Sequence, residues 1–273
     1  SQKGVKATCV SGVLSGVVVA GVFTPWDRAL YLCVINKRHF LHKSNWVSPY
    51  QGFFQTISSR TIQGGLWWPL EDQSVRFTTR LLPDHPAGGR MLGGLLAGVF
   101  NALLLNPASA IKYHIWGTKR QLFHAAQKMY RKGGLGSFFK GAQSTVFRDS
   151  VFGAVFTTLR HAGSRGDSSF GVDFASSAVA TVLSSPMNYA RNIEYSLPAH
   201  SRENGWSICK KLLSKVSYQT LGLWIACRFV LTRLRIGWGT LRVAVGMACG
   251  SKVYGRCLAS IEHVSREVPE KES

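Results

Sequence analysis

Acidic residues are scarce in this chain. Thirteen Asp and Glu stand against 33 Lys and Arg, a formal net charge of +20 over 273 residues. That balance leaves two kinds of partner, nucleic acid or an anionic membrane surface. Cysteine is sparse as well. Cys9, Cys33, Cys209, Cys227, Cys249 and Cys257 form no CxxC spacing, and most lie in apolar stretches. They read as reduced, buried small hydrophobes rather than a zinc or disulfide framework. The eight histidines show no metal-ligand spacing, so no metal is expected. There is no Ser–His–Asp arrangement, no P-loop and no paired-carboxylate signature, and the chain does not read as an enzyme. No cleavable secretory signal is visible at the N-terminus, and a leader ahead of Ser1 stays open.

What is abundant is apolar: 45% of the residues are hydrophobic and 28 are glycine, with a mean hydropathy of +0.04 despite the charge. Nucleic-acid binders gather Lys and Arg on a stripe interleaved with aromatics. Here the charges fall mostly between apolar runs, which favours a membrane and disfavours nucleic acid.

Three prolines, Pro25, Pro107 and Pro186, are spaced by 82 and 79 residues. Each closes an apolar segment of about 18 residues, a length that spans a bilayer if the helix continues past the proline. Gly12 and Gly16 are four apart, as are Gly94 and Gly98, which puts each pair on one helix face where a second helix can approach closely. After each proline segment comes a stretch with amphipathic spacing, at 50–68, 121–141 and 204–217, and then a further apolar helix, near 70–82, 142–162 and 229–255. The expected architecture is therefore all-α: six transmembrane helices in three repeats, about 5–84, 88–164 and 168–262, forming one domain over 1–273 with short amphipathic surface helices. Loop charge sets the orientation. The linkers with the amphipathic helices, which include Arg60, Lys128 and Lys210, are expected on the negatively charged side, and the sparser linkers with Arg90, Arg160 and Arg165 on the other.

These features resemble the mitochondrial carrier family, whose three repeats each end the odd helix on a Pro-x-acid-x-x-base motif. An aromatic-basic-Gly step then leads into the even helix; "FFKGAQSTVFRD" at 138–149 matches it closely, and "RIGWGTLRVAVG" at 235–246 resembles the glycine-rich sixth helix. The resemblance covers nearly the whole chain. It implies pseudo-threefold symmetry, a mitochondrial inner-membrane location, three proline-kinked helices closing the matrix side of a central cavity, and ion pairs between the acid of one motif and the base of the next.

The motifs here are degenerate. Asp27 is present but Leu30 replaces its base; Ser109 replaces the second acid while Lys112 remains; Asn188 replaces the third acid while Arg191 remains. Only the pair Asp27–Lys112 is expected, with Arg191 left to hydrogen-bond Ser109. The family's aromatic-acid-x-x-base motif late in the even helices is not found. The second helix reads as short, 13 residues from Leu70 to Leu82, leaving a gap at 70–90 that a protein partner would fill. By distance from Gly141, Arg148 and Asp149 fall on the family's substrate contact point of the fourth helix, and Arg235 on that of the sixth. On the second helix Arg76 and Arg80 compete, with Pro83 favouring Arg80. These residues point to an anion or zwitterion, or alternatively are relics. Lys140 and Gly141 fit a lipid-phosphate niche, so a bound phospholipid, cardiolipin in the family, is expected and no other cofactor. Two functions follow: an accessory subunit of a larger, respiratory-type membrane complex, which the degraded gates favour, or an antiporter of a small carboxylate or amino acid.

Overall fold

The computed structural model describes residues 2–36, 38–51, 53–118, 122–163, 169–197, 203–218, 222–234 and 236–267. Among them the only regular elements are helices. In chain order these are α1 (Gln2–Ile35), α2 (Phe53–Leu81), α3 (Pro86–Thr118), α4 (Leu122–Gly133), α5 (Ala142–Gly163), α6 (Phe170–Ser196), α7 (Gly205–Tyr218), α8 (Gly222–Leu234) and α9 (Trp238–Glu267). Short 3₁₀ turns cover Lys43–Asn45 and Leu135–Phe139.

Six long helices form a closed ring. Helix α1 packs on α2, α2 on α3, α3 on α5, α5 on α6, α6 on α9, and α9 returns to α1. Glycine sets the closest of these approaches. A Cβ on Gly12 would overlap the carbonyl oxygen of Gly64, and a Cβ on Gly94 that of Gly153, so α1 meets α2 and α3 meets α5 backbone to backbone. The third hairpin is built otherwise. Thirteen residues before the three prolines stand Gly12, Gly94 and Asp173; nine before stand Gly16, Gly98 and Ser177. Asp173 and Ser177 are fully buried on α6, and the Ser177 hydroxyl donates to the Asp173 carbonyl at 2.6 Å.

The ring is polar inside and apolar outside. Ser11, Ser15, Asn101, Asn106, Asp149 and Ser177 are buried, whereas Val22, Leu104 and Leu183 are each more than half exposed. Water-soluble packing would reverse that pattern, and an exposed apolar band around a helical ring is what a hydrocarbon surround selects. Two stretches are long and apolar enough to cross a membrane by composition, Ala7–Cys33 with mean hydropathy 1.9 and Pro86–Ile111 with 1.5.

Pro25, Pro107 and Pro186 all lie inside unbroken helices. Each proline deprives the carbonyl four residues back of its partner. At Pro186 that carbonyl is Val182's, and the Ser185 hydroxyl donates to it at 2.6 Å. Ser185→Ala should therefore cost about 1 kcal/mol, read as a fall of about 2–4 °C in the thermal unfolding midpoint in detergent. At Pro107 the preceding residue works across helices instead. Asn106 Nδ2 donates to the Phe138 and Lys140 carbonyls at 2.9 and 3.3 Å, and its Oδ1 accepts from Tyr195 at 2.8 Å and Thr145 at 3.1 Å.

The first connection differs from expectation. Residues 50–68 and 70–82 are not a surface helix followed by a short span. They form the single helix α2, 29 residues long, running through Pro69. Pro69 is tolerated because a missing N–H inside one helix of a packed ring removes a single bond and not the element. What the first hairpin lacks is the surface helix, replaced by the turn around Lys43–Asn45. An aromatic cluster pins that segment: Phe40 stacks on Trp238 at 5.0 Å and lies 6.2 Å from Trp26, which itself meets Trp238 at 6.1 Å. In the third hairpin the expected helix at 229–255 is two elements, α8 and α9, which meet at Gly237, with φ +120°. All six cysteines are free thiols, as expected, but only Cys209 is buried: Cys227 is exposed and Cys9, Cys33, Cys249 and Cys257 are partly exposed, as apolar side chains on the outer face of a ring in lipid can be.

Candidate functional site

A cavity of about 240 Å³ occupies the centre of the ring. Helical spacing aims one stripe of each wall at it. On α2 the stripe is Arg60, Gln63, Gly64, Trp67 and Trp68; on α6 it is Ser184, Ser185, Asn188, Arg191 and Asn192; on α9 it is Gly239, Arg242, Val243, Gly246, Met247 and Gly250. Asp27 from α1, Asn101 from α3 and Arg148, Asp149 and Phe152 from α5 complete the polar part. The charged lining residues are four arginines and two aspartates.

The charges are organised. Asp27 Oδ2 accepts from Arg242 Nη2 at 2.6 Å and from Arg60 Nη2 at 3.3 Å, and Arg242 Nε lies 2.5 Å from Oδ1 as an ion-pair contact. A charge-assisted hydrogen bond of this kind is stronger than one between neutral groups. Arg242 is only 4% exposed, and its guanidinium lies 5.1 Å from the centre of the Phe23 ring. Arg60 is braced by Gln63 Oε1 at 3.0 Å. Arg148 pairs with its neighbour Asp149, which also accepts from Asn101 Nδ2 at 3.3 Å. Arg191 donates to Asn188 Oδ1 at 2.8 Å and lies 5.9 Å from the Tyr195 ring.

Aromatic residues floor the cavity. Trp67, Trp68 and Phe156 form a buried cluster with Phe152 and Met247 against it. Trp68 lies between the Arg160 guanidinium at 4.9 Å and the Tyr254 ring at 5.0 Å, nearly parallel. Behind this plug, at the end away from the prolines, Arg160 bridges Glu71 at 3.4 Å and Asp173 at 3.0 Å, while Thr157 donates to Glu71 at 2.9 Å. Asp173 and Glu71 are both buried. The cavity reaches Leu30, Tyr31, Arg191 and Leu234 at the proline end.

Several sequence expectations are corrected here. The described partners of Asp27 are Arg242 and Arg60; the side chain of Lys112 lies outside the described residues. The described hydrogen bond of Arg191 is to Asn188 Oδ1. Arg76 and Arg80 do not reach the cavity: both are exposed near the end of α2, where Arg76 pairs with Asp72 at 3.0 Å. Arg60, assigned to a linker, is the α2 arginine of the site. The signal was Tyr50–Gln51–Gly52, which ends eight residues before Arg60, one more than the seven that separate Gly141 of Phe139–Lys140–Gly141 from Arg148. Arg235 lies outside the described residues, and Arg242, two turns further on, supplies the α9 arginine. Arg160, also assigned to a linker, belongs to α5. Phe156–Thr157–Thr158–Leu159–Arg160 keeps the aromatic and the base of the even-helix pattern with a hydroxyl in place of the acid. Arg148 and Asp149 line the cavity from α5. Gly141 turns the chain into α5 with φ +70°, and the Lys140 amine donates to the Leu197 carbonyl at 2.5 Å. Burial pushes the Lys140 ammonium below its usual pKa, with Glu194 opposing the shift.

Residues 83–163, which hold α3, α4 and α5, match the family model described as mitochondrial carrier protein. No curated protein matches the chain. A helical ring with an apolar exterior and a charged central cavity, together with a carrier match over 83–163, supports a carrier-fold membrane protein similar to mitochondrial carriers over that stretch.

Proposed function

We propose that this chain is an antiporter of a small anionic or zwitterionic metabolite, a carboxylate or an amino acid, across the mitochondrial inner membrane. Six spans in three hairpins, about 5–84, 88–164 and 168–262, would make one carrier domain. The observation that carries the reading is the convergence of Arg60, Arg148 and Arg242, one from the early turns of each of α2, α5 and α9, on one cavity with Asp27 and Asp149. Ionisable groups inside a membrane are costly and mark a pathway by default. Relics would have no reason to be braced by Gln63, Asn101 and Phe23.

The competing reading, an accessory subunit of a respiratory-type complex with a partner against residues 70–90, drew on a short second helix and on lost gates. The 29-residue α2 removes the first support. The charge cluster at Glu71, Arg160 and Asp173 weakens the second. Phospholipid, including cardiolipin, belongs to the proposal at the N-terminus of α5, with backbone N–H groups as the donors to phosphate.

Purified protein in liposomes should exchange labelled carboxylates or amino acids for internal counter-substrate. Arg148→Ala should reduce that exchange at least about thirtyfold, since it leaves the buried Asp149 without its cation. A folded wild-type protein with no exchange across a broad metabolite panel, or one that co-purifies in fixed stoichiometry with a membrane complex, would overturn the reading.

A further inference from the structure

We infer that Asn101 and Trp67 contact the transported ligand, a step that rests on the transport reading of the same cavity. Asn101 Oδ1 accepts from a hydroxyl or ammonium carried beside the ligand's carboxylate, and Trp67 Nε1 donates to one of the ligand's oxygens. Asn101 is 2% exposed, lines the cavity and donates through Nδ2 to Asp149 Oδ2 at 3.3 Å. Asp149 is paired with Arg148, and an ionised carboxylate only accepts, so the Asn101 amide cannot turn over. Its other end, Oδ1, is buried and has no hydrogen-bond partner among the described residues. Trp67 is 7% exposed and lines the same cavity, and its Nε1 is likewise buried with no partner among them. Asn106, five residues along α3, shows the contrast: joining helices, it is bonded at both ends.

A buried polar group left unpaired costs more than a paired one gains, so each such group calls for a partner. The partners here are complementary. Asn101 Oδ1 needs an N–H or O–H, and Trp67 Nε1 needs a lone pair. Both flank one stretch of α5: Asn101 holds Asp149, and Trp67 packs edge-on at 6.2 Å against Phe152, which shares that face of the helix. The arginines of the cavity attract a carboxylate but cannot read a donor, because a guanidinium has no acceptor. Gln63 Oε1, Asn188 Oδ1 and Asp27 already accept from Arg60, Arg191 and Arg242. Asn101 Oδ1 is left open. A site built to hydrogen-bond an O–H or N–H rejects the analogue that lacks it, since its own buried group is then stranded.

Two matched sets differ only at the carbon beside the carboxylate: propionate, lactate and alanine, and succinate, malate and aspartate. Each ligand is titrated against wild type, Asn101→Leu, Asn101→Ala and Trp67→Phe by thermal unfolding in detergent, every form read against its own ligand-free midpoint. In a set that responds, wild type should bind a substituted member at least about fivefold more tightly than the unsubstituted one. Both Asn101 variants should bring that ratio to within about twofold of unity. Loss of the bond to Asp149 alone would weaken all members alike and keep the ratio. Trp67→Phe keeps a ring against Phe152 and removes the N–H, so it should weaken every responding ligand about fivefold. If the unsubstituted member binds as well to wild type, or the ratio survives both Asn101 variants, water alone satisfies Asn101 and its assignment fails, with the transport reading intact. Unchanged affinity in Trp67→Phe overturns the assignment of Trp67 in the same way. If none of the six ligands moves the wild-type midpoint, the inference fails; exchange of another metabolite in liposomes would still uphold transport, and no exchange at all would take both.

Discussion

Arg160→Met is expected to lower the thermal unfolding midpoint in detergent by about 10 °C, corresponding to about 3–5 kcal/mol. The substitution removes the cation that Glu71 and Asp173 share at 3.4 and 3.0 Å, and leaves both carboxylates buried against one another. An ion cluster of this kind adds little beyond an apolar replacement of the same shape, yet breaking it by taking away one member is costly. The triple variant Arg160→Met, Glu71→Gln, Asp173→Asn should therefore recover most of the loss. Arg160→Lys should fall between, since a point charge cannot reproduce the separate contacts to Glu71 and Asp173 or the approach to Trp68 at 4.9 Å. A midpoint within about 2 °C of wild type for Arg160→Met would mean that the cluster is hydrated and not buried in the membrane. In liposomes the same variant should be leaky, because Arg160 lies behind the Trp68 plug that closes this end of the cavity.

The second large effect is expected at Gly98. A Cβ there would overlap the Asp149 carbonyl and stand 2.8 Å from the Ser150 nitrogen. Backbone cannot move aside as a flexible side chain can, so Gly98→Leu should force α3 away from α5. Overpacking costs typically about 1–3 kcal/mol, and more where the obstacle is main chain. Because the obstacle is the peptide of Asp149, the Arg148–Asp149 pair would move with it, and ligand-induced stabilisation should vanish even in the fraction that folds. Gly21→Ala is the matched control. Nothing lies within 4 Å of a Cβ at Gly21, and Ala in a helix interior is better than Gly by about 1 kcal/mol, so that variant should be as stable as wild type or more so. Equal behaviour of the two variants would refute close packing at the α3–α5 seam.

The sequence was most legible where residue type and spacing had one physical meaning. The glycine pairs at Gly12 and Gly16 and at Gly94 and Gly98 announce close helix contacts, and these are where the backbones meet. The aromatic-basic-Gly step before Ala142 locates α5, and from it Arg148 and Asp149. Legibility failed where a signal admitted two readings. The amphipathic spacing of 50–68 and the apolar run of 70–82 read as two elements, although the one proline between them, within a packed helix, removes only a single bond. That division starts the second helix near 70 instead of Phe53, which places Arg60 in a linker and Arg76 or Arg80 at the site. Arg242 was missed because Arg235 offered an earlier arginine in the same motif. The Glu71–Arg160–Asp173 cluster was hidden because its three members come from three helices, and only Arg160 keeps the spacing of a known pattern.

The seam between α1 and α9 has a consequence for biosynthesis. Ser15 of α1 donates to the Gly250 carbonyl at 2.7 Å, Asp27 depends on Arg242, and Trp26 and Phe40 pack on Trp238. Every one of these partners emerges from the ribosome more than 180 residues after α1 has been made. An arc of five helices would wait in the lipid with Asp27 lacking its Arg242 contact and the Ser15 hydroxyl lacking the Gly250 carbonyl. The step that closes the circle is therefore the last one, and a nascent chain halted before Trp238 should be recognisable to membrane proteases and insertases by that open edge.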